Sequence, residues 1–392
     1  MTSKDSAPAV DASPSVAVTG GRVLTTFALA LALLATLLAP VPAVASSDWV
    51  GAEQRFTNHI NRERATLGLA TVQVNLQMVR IARDWSAQMA ARDTMSHRPD
   101  IPDHVHGTWT RLGENVGWIS YREGDSLAAA VDRLHQAFMD SPPHKANVLG
   151  DFNQVGVGVL VVGTGKLWVT FNFLKGPTDG FPLFADIGSN THRRAIEQAW
   201  LADLASGCRF DGYCPAGQVT RAQMATFIAR AVGLAPVVSN RFEDVDPRSL
   251  HAGAINALVA AGIAQGCAEG RYCPDDAVKR GQMATFLSRA LQLAPRSDVK
   301  FVDVLPTSSH FGNINTVAEQ GITSGCDASG VRYCPGDPVR RDQMASFLAR
   351  AFPAPVSFWE RDPDPEELPE GGSTSTHEIG TPTTYERDPE QD

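Results

Sequence analysis

Apolar positions along this chain change period several times, and each change marks an element. From Val23 to Leu38 they run almost unbroken, preceded by Lys4 and Arg22 and followed by Ala43-Val44-Ala45. A basic start, an apolar run and a small-residue triplet make up a secretory signal. Residues 1–45 are therefore expected to be a signal peptide cleaved after Ala45, and the remainder to be secreted to the cell wall or surface. The run is nearly long enough to cross a bilayer, so an uncleaved N-terminal membrane anchor is the alternative.

Beyond it the period becomes helical. Phe56, Ile60, Arg64 and Leu67 share one face of a first helix that ends at Gly68. Asn75 can cap a second helix, along which Leu76, Val79, Ala82, Trp85 and Met89 recur at helical spacing. A third such run covers about 126–139. The period then falls to two, with Val155, Val157, Val159 and Val161, and after a Gly-containing turn Val169, Phe171 and Phe173. Helices flanking a sheet are the expected outcome for residues 46–175. Residues 176–181 read as a linker.

The next segment repeats itself about every sixty residues, which predicts three units at 182–239, 240–298 and 299–352. Phe184-Ala-Asp186 recurs as Phe242-Glu-Asp244 and Phe301-Val-Asp303, and a His follows each: His192, His251, His310. Two cysteines come next in every unit, the second inside Tyr-Cys-Pro, and a helix opening on Arg221, Arg280 or Arg341 closes it. Met224, Phe227, Ile228 and Ala231 form one apolar stripe of the first such helix, too small to be buried by one unit alone. Neighbouring units must share a core.

All six cysteines lie in these units, and in an exported chain an even number implies disulfides. The threefold repetition favours pairing within units: Cys208 with Cys214, Cys267 with Cys273, Cys326 with Cys334. Zinc is the competing reading, against which stand the spacing and the oxidising compartment. An arginine in a first helical turn opposes the helix dipole. Three of them call either for a solvated charge or ion pair, or for an anion-binding group beside free amides. Thr220 and Gln223 make a capping box, but Lys279 and Arg340 replace the threonine elsewhere, so capping accounts for the first unit alone.

Charge narrows the partners. Residues 360–392 hold eleven acidic and two basic side chains, which equals the whole net charge of -9. The rest is balanced and offers no basic footprint for nucleic acid. With its prolines and Gly371-Gly372, the segment 353–392 reads as a disordered acidic tail.

The three units resemble a tandem of S-layer homology domains, with the family's Thr-Arg-Ala-Glu appearing as Thr220-Arg-Ala-Gln223, Lys279-Arg-Gly-Gln282 and Arg340-Arg-Asp-Gln343. The resemblance implies a mainly α-helical, pseudo-threefold array whose grooves bind cell-wall polysaccharide or a peptidoglycan-linked glycan, with Arg221, Arg280 and Arg341 as binding residues. The glutamate is glutamine throughout, a departure that bears on which glycan is bound.

Residues 46–175 carry Asn61-Arg62-x-Arg64, Met95-Ser96-His97, Gly113-Glu114-Asn115, Ser141-Pro-Pro-His144 and Val155-Gly-Val-Gly158. In this order they resemble a bacterial CAP (SCP-like) domain, which implies a three-layer α-β-α sandwich. In that family two histidines and acidic groups line a cleft, sometimes around a metal. By resemblance His97, Glu114 and His144 fill three of those places, with His97 and His144 as ligands for zinc or another divalent cation. A second glutamate is not evident, Asp140 being the nearest substitute, and Phe138 stands where relatives have Trp. His104 and His106 sit in a Pro-rich loop apart from this set. Two readings follow: a module binding an envelope lipid or glycan, or a metal-assisted hydrolase of peptide or wall substrate. No Ser-His-Asp or His-Glu-x-x-His signature favours the enzyme.

Overall fold

The computed structural model describes residues 48–120, 125–162, 165–239, 241–353 and 376–387. The expected signal segment lies outside them. Among the described residues no helix is long and apolar enough to cross a membrane.

The chain opens with α1 (Asp48–Thr66) and passes through a two-residue strand β1 (Gln73–Val74) into α2 (Leu76–Arg92). The Asn75 side chain accepts from the Met78 amide, as its position predicts, and left-handed Asp93 ends α2. After a short α3 (Ile101–His104) come β2 (Arg111–Ser120), α4 (Leu127–Asp140), α5 (Pro142–Val148), β3 (Gln154–Val162) and β4 (Lys166–Lys175). The sheet order is β1-β3-β4-β2, with β3–β4 and β4–β2 antiparallel.

Period-two alternation sorts the side chains into two layers. Phe171, Phe173, Val155 and Val157 face α1 and α4, where Phe56, Ile60, Leu134 and Phe138 complete a core. On the opposite face Trp168 and Val116 meet Trp85 and Met89 of α2, and Leu112 and Leu174 meet Met78 and Ile81. This is the α-β-α sandwich. Its glycines are steric necessities: a Cβ on Gly156 would lie 2.1 Å from the Met78 carbonyl carbon, and one on Gly158 2.1 Å from the Arg83 nitrogen. Only glycine lets α2 lie this close to β3. Leu67, expected on the buried face of α1, is exposed. Arg64 is buried instead, and its guanidinium donates to the carbonyls of Ala70, Val148, Gly150 and Phe152. One side chain thus ties the α1 turn to the loop before β3.

Three alike units follow, each with two helices: α6 (Arg193–Leu201) and α7 (Arg221–Ala231), α8 (Ala252–Ala260) and α9 (Arg280–Ala290), α10 (Phe311–Glu319) and α11 (Arg341–Ala351). The second helix of one unit packs on the first helix of the next, and α11 returns to α6. At the centre the Val219 amide donates to Val339, Val339 to Val278 and Val278 to Val219, each at 2.9 Å. The ring is closed, and one continuous core runs through it.

The acidic tail corrects the expectation of disorder at its far end. Residues 377–379 form β5 (His377–Ile379) and residues 383–386 form β6 (Thr383–Glu386), both antiparallel to the free edge of β2. The pairing uses main-chain groups, so an acidic composition with no core of its own does not forbid it. The other tail residues fall outside the description.

Candidate functional site

His97 follows α2 on one side of the sheet, and His144 lies in α5 on the other. They approach each other past the edge of β2. The His97 Nδ1 lies 2.6 Å from Glu114 Oε1, which also accepts from the Arg98 amide at 3.0 Å. Glu114 is wholly buried, and burial pushes its carboxyl up against the opposing pull of His97. His144 Nδ1 lies 2.8 Å from Ser141 Oγ. Burial lowers the His144 imidazole; the Gly380 main chain works the other way and the nearby His97 works with it. The neutral form expected from its helix-start position is therefore favoured, chiefly by desolvation.

His97 Nε2 and Glu114 Oε2 are buried without a hydrogen-bond partner in the protein, while His144 faces the Gly380 main chain of the tail. A Cβ added at Gly380 would lie 3.7 Å from His97 Nε2, so the tail main chain passes beside both rings. Asn115 Nδ2 donates to the His144 carbonyl and Asn147 Nδ2 to Asn115 Oδ1, fixing α5 against β2. Phe138 backs His144 with ring centroids 5.2 Å apart.

The donor set suits a cation in part. Imidazole Nε2 atoms are ligands of the right kind, and Glu114 behind His97 would fix its tautomer. Among the described residues no third His, Cys, Asp or Glu donor joins them at a common point. Three-donor groupings occur at Asp244, Cys267 and Cys273 and at Asp303, Cys326 and Cys334. Those sulfurs are bonded to each other, and each aspartate accepts the amides of the adjoining Tyr and Cys, so neither is an ion site.

The other histidines go elsewhere. His104 Nε2 meets Asp100 at 3.0 Å and its Nδ1 meets Asp211 at 3.5 Å, with His106 Nε2 3.7 Å from the same Asp211. They belong to the joint between the sandwich and the ring, where Arg80 donates to Leu183, Phe210 and Asp211 and lies over the Phe210 ring. The supposed linker 176–181 enters this joint through buried Phe181. Asp140 remains exposed, accepting from Gln136.

Every disulfide closes within its unit: Cys208–Cys214, Cys267–Cys273 and Cys326–Cys334. The ring arginines are not solvated charges. Arg221, Arg280 and Arg341 are 5%, 4% and 7% exposed. Each reaches into the next unit, Arg221 donating to Tyr272 and Gln265, Arg280 to Tyr333 and Gly325, Arg341 to Tyr213 and Ser206. The tyrosine hydroxyl returns a bond to the carbonyl of the same arginine. Nor do the arginines ion-pair with the Phe-x-Asp aspartates as an alternative, since Asp186, Asp244 and Asp303 hold the Tyr-Cys turns. Gln223, Gln282 and Gln343 all accept from the amide three residues back. The glutamine half of the capping box is therefore present in every unit, and no carboxylate is needed for it.

The sequence matches the cysteine-rich secretory protein (CAP) family over residues 57–173 and the S-layer homology domain over residues 241–284. Residues 57–173 are a CAP domain. This one has no cysteine. The S-layer homology domain coincides with the second unit of the ring, and the first and third units repeat its tyrosine contacts around Arg341 and Arg280. The chain is similar to a surface-layer 125 kDa protein of Lysinibacillus sphaericus, 33% identical over 99 residues, covering 25% of this chain and 8% of that protein. It is also similar to a cell surface protein of Thermoanaerobacter kivui, 30% identical over 132 residues, covering 32% of this chain and 17% of that one. The chain thus spans less than a fifth of either relative. Among solved structures, an outer surface protein of Borrelia burgdorferi aligns over 34% of this chain and 98% of its own, at 14% identity and TM-score 0.26. An extracellular SCP-domain protein of Bacillus anthracis aligns over 32% of this chain and 41% of its own, at 24% identity and TM-score 0.25. A CAP domain joined to an S-layer homology domain places the protein outside the cell, at its surface.

Proposed function

We propose that the ring of three units holds this protein on a cell-wall polysaccharide or peptidoglycan-linked glycan, and that the CAP cleft binds an envelope ligand there. The observation carrying this reading is the closed ring, in which three similar joints are each locked by one buried arginine. The CAP domain is fastened to that ring through Arg80, so whatever the cleft binds is held at the wall. On this reading the arginines serve glycan binding by holding the joints closed. Cosedimentation of the full chain with purified cell-wall sacculi tests it: the protein should pellet, and soluble wall polysaccharide should release it. A chain that stays in the supernatant overturns the reading.

A second reading, metal-assisted hydrolysis of a peptide or wall substrate, is favoured by one observation. The buried His144 imidazole and the partly exposed His97 imidazole lie near each other beside Gly380, with a buried carboxylate behind His97. Zinc or another divalent cation held by His97 and His144 would polarise a substrate carbonyl there. Incubating the full chain with isolated envelope, with and without a chelator, and looking for released fragments separates this from binding alone. A lipid or glycan ligand would instead be bound and recovered intact.

A further inference from the structure

The tail strands lie along the one edge of the CAP sheet that flanks the two histidines, and their register is broken at that point. In β5 the partners are Ile119 with His377, Trp118 with Glu378 and Gly117 with Ile379. In β6 they are Glu114 with Thr383, Gly113 with Thr384, Leu112 with Tyr385 and Arg111 with Glu386. Between these runs Gly380, Thr381 and Pro382 stand opposite only Asn115 and Val116, which is a one-residue bulge. The bulge sits where His97 and His144 meet. It puts main chain, and no side chain, beside the imidazoles.

The contacts of this segment are those of a bound peptide. The ladder is fixed by main-chain bonds from Ser120 to Thr376, Gly380 to Val116 and Arg387 to Thr110, each at 3.0 Å. Side chains add anchors: Ile379 packs on the core beneath α4, Tyr385 packs beside Leu112 and donates to the Arg98 carbonyl, Glu378 accepts from Trp118 Nε1, Thr384 donates to Asn147, and Arg387 lies over Trp109. A Cβ on Gly380 would come 3.0 Å from Val116 Cγ2 and 3.7 Å from His97 Nε2, so a branched side chain at this position would crowd both. Without residues 376–387 the edge of β2 away from β4 would present its outward-facing N–H and C=O groups unpaired, an edge suited to strand addition. In sequence, residues 354–375, rich in proline, glycine and acidic side chains, join this segment to the last unit of the ring.

We propose that the CAP cleft is a groove for an extended polypeptide strand, and that residues 376–387 are its tethered, displaceable occupant. This rests on the reading of the cleft as a binding site and gives its ligand a chemical class. The groove selects an apolar residue, then glycine, then an aromatic residue five positions further on, in the pattern Ile-Gly-x-Pro-x-x-Tyr. Tethering gives the segment an effective concentration of about 1 mM. A free peptide that binds the empty groove at about 10 µM would then appear about a hundredfold weaker against the intact chain.

The test introduces a sequence-specific protease site between residues 362 and 370 of the full chain and measures binding of a fluorescein-labelled peptide of residues 374–388 by anisotropy. After cleavage and removal of the released segment, the peptide should bind saturably, at least tenfold tighter than to the uncleaved chain. The same peptide with Gly380→Val should not bind. The uncleaved full chain carrying Gly380→Val should take up the unmodified peptide as the cleaved protein does. Equal binding before and after cleavage, or equal binding of the Gly380→Val peptide, overturns the proposal. Loss of the near-ultraviolet circular dichroism signal on cleavage also overturns it, because the segment would then be a fixed strand of the fold. Binding that grows with protein concentration only in dimers would assign the groove to the tail of a second copy and overturn the tethered arrangement. None of these readings involves sacculi, so a failure here leaves wall attachment standing, and a failure there leaves the groove standing.

Discussion

The Nδ1 atom of His97 lies 2.6 Å from Oε1 of Glu114, a carboxylate with no exposure to solvent. Glu114 therefore fixes the tautomer of His97 and aims Nε2 past the edge of β2. If the two Nε2 atoms hold a divalent ion, Glu114→Gln should weaken zinc binding ten- to about a hundredfold, the usual effect of losing a partner behind a ligand. Isothermal calorimetry of the full chain measures it. Unchanged affinity would leave Glu114 with packing alone.

The ligands themselves should be separable from the other histidines. His97→Ala and His144→Ala should each remove the saturable zinc event, whereas His104→Ala and His106→Ala should leave it intact. His104 and His106 are occupied by Asp100 and Asp211 at the joint to the ring. Loss of zinc binding in the His104 or His106 variant would place the site at that joint instead.

The ring arginines are expected to behave as stability residues. Arg221→Ala leaves the carbonyls of Tyr272 and Gln265 without their donor inside a closed joint. Each buried polar group so stranded costs about 1–3 kcal/mol. A fall in Tm of about 5 °C should follow for any one of Arg221→Ala, Arg280→Ala or Arg341→Ala. Lysine should not rescue, because the bonds need Nε and Nη2 donating in different directions. Wall binding should fail only as the ring loosens. A variant with unchanged Tm and lost cosedimentation would return these residues to direct glycan contact.

How far the sequence was legible depends on whether a residue's role is local. Asn75 capping α2, the Val155–Val161 alternation and the pairing of cysteines within repeats are each set by near neighbours in the chain, and each appears as expected. The burial of the ring arginines is not legible in the sequence because their partners lie in the next unit, 44 or more residues away, and nothing near Arg221 announces Tyr272. Arg64 was noticed as a motif, but its four carbonyl partners are set by tertiary approach. The tail was misread for a related reason: strand addition at an edge asks little of side chains, so a charged, proline-bearing segment conceals it. The glycine at position 380 and the alternation of Thr383 and Tyr385 are the faint signals that were available. The convergence of His97 and His144 was legible only by resemblance, since they approach from opposite faces of the sheet.

Arg80 is expected to couple the two halves of the molecule. It donates to Leu183 and Phe210 at 2.9 and 2.8 Å, reaches Asp211 at 3.1 Å and stacks over Phe210 in the Cys208–Cys214 loop. The corresponding loops of the second and third units lack this phenylalanine. Arg80→Ala should therefore split thermal unfolding into two calorimetric transitions, one for the CAP domain and one for the ring. Phe210→Ala should do the same more weakly. A single unchanged transition in both variants would show that the joint is held by other contacts.

The last expectation concerns acid stability. His135 is buried on α4, both ring nitrogens lack a partner in the protein, and its ring stacks on His59 at 4.8 Å between centroids. Burial first, and the neighbouring His59 second, push its imidazole down to about 3. The unfolded chain takes up that proton near 6.5 and the folded chain does not. His135 thus costs nothing above about pH 6.5, and stability is lost progressively as pH falls toward 3. At pH 5 the loss amounts to about 2 kcal/mol, from a gap of about 1.5 pH units between that pH and the unfolded value. Asp132 does not obscure this window. Although burial works to raise it, the bonds from Arg55 and His59 hold its carboxyl well below the usual carboxylate range, so it stays charged. His135→Leu removes the titrating group while keeping a similar volume. Urea denaturation at pH 7.5 and pH 5 should show the variant gaining about 2 kcal/mol on the parent protein between the two conditions. The same stability difference at both pH values would mean that His135 is protonated in the folded chain, and that the stacked pair on α1 and α4 is not where acid acts.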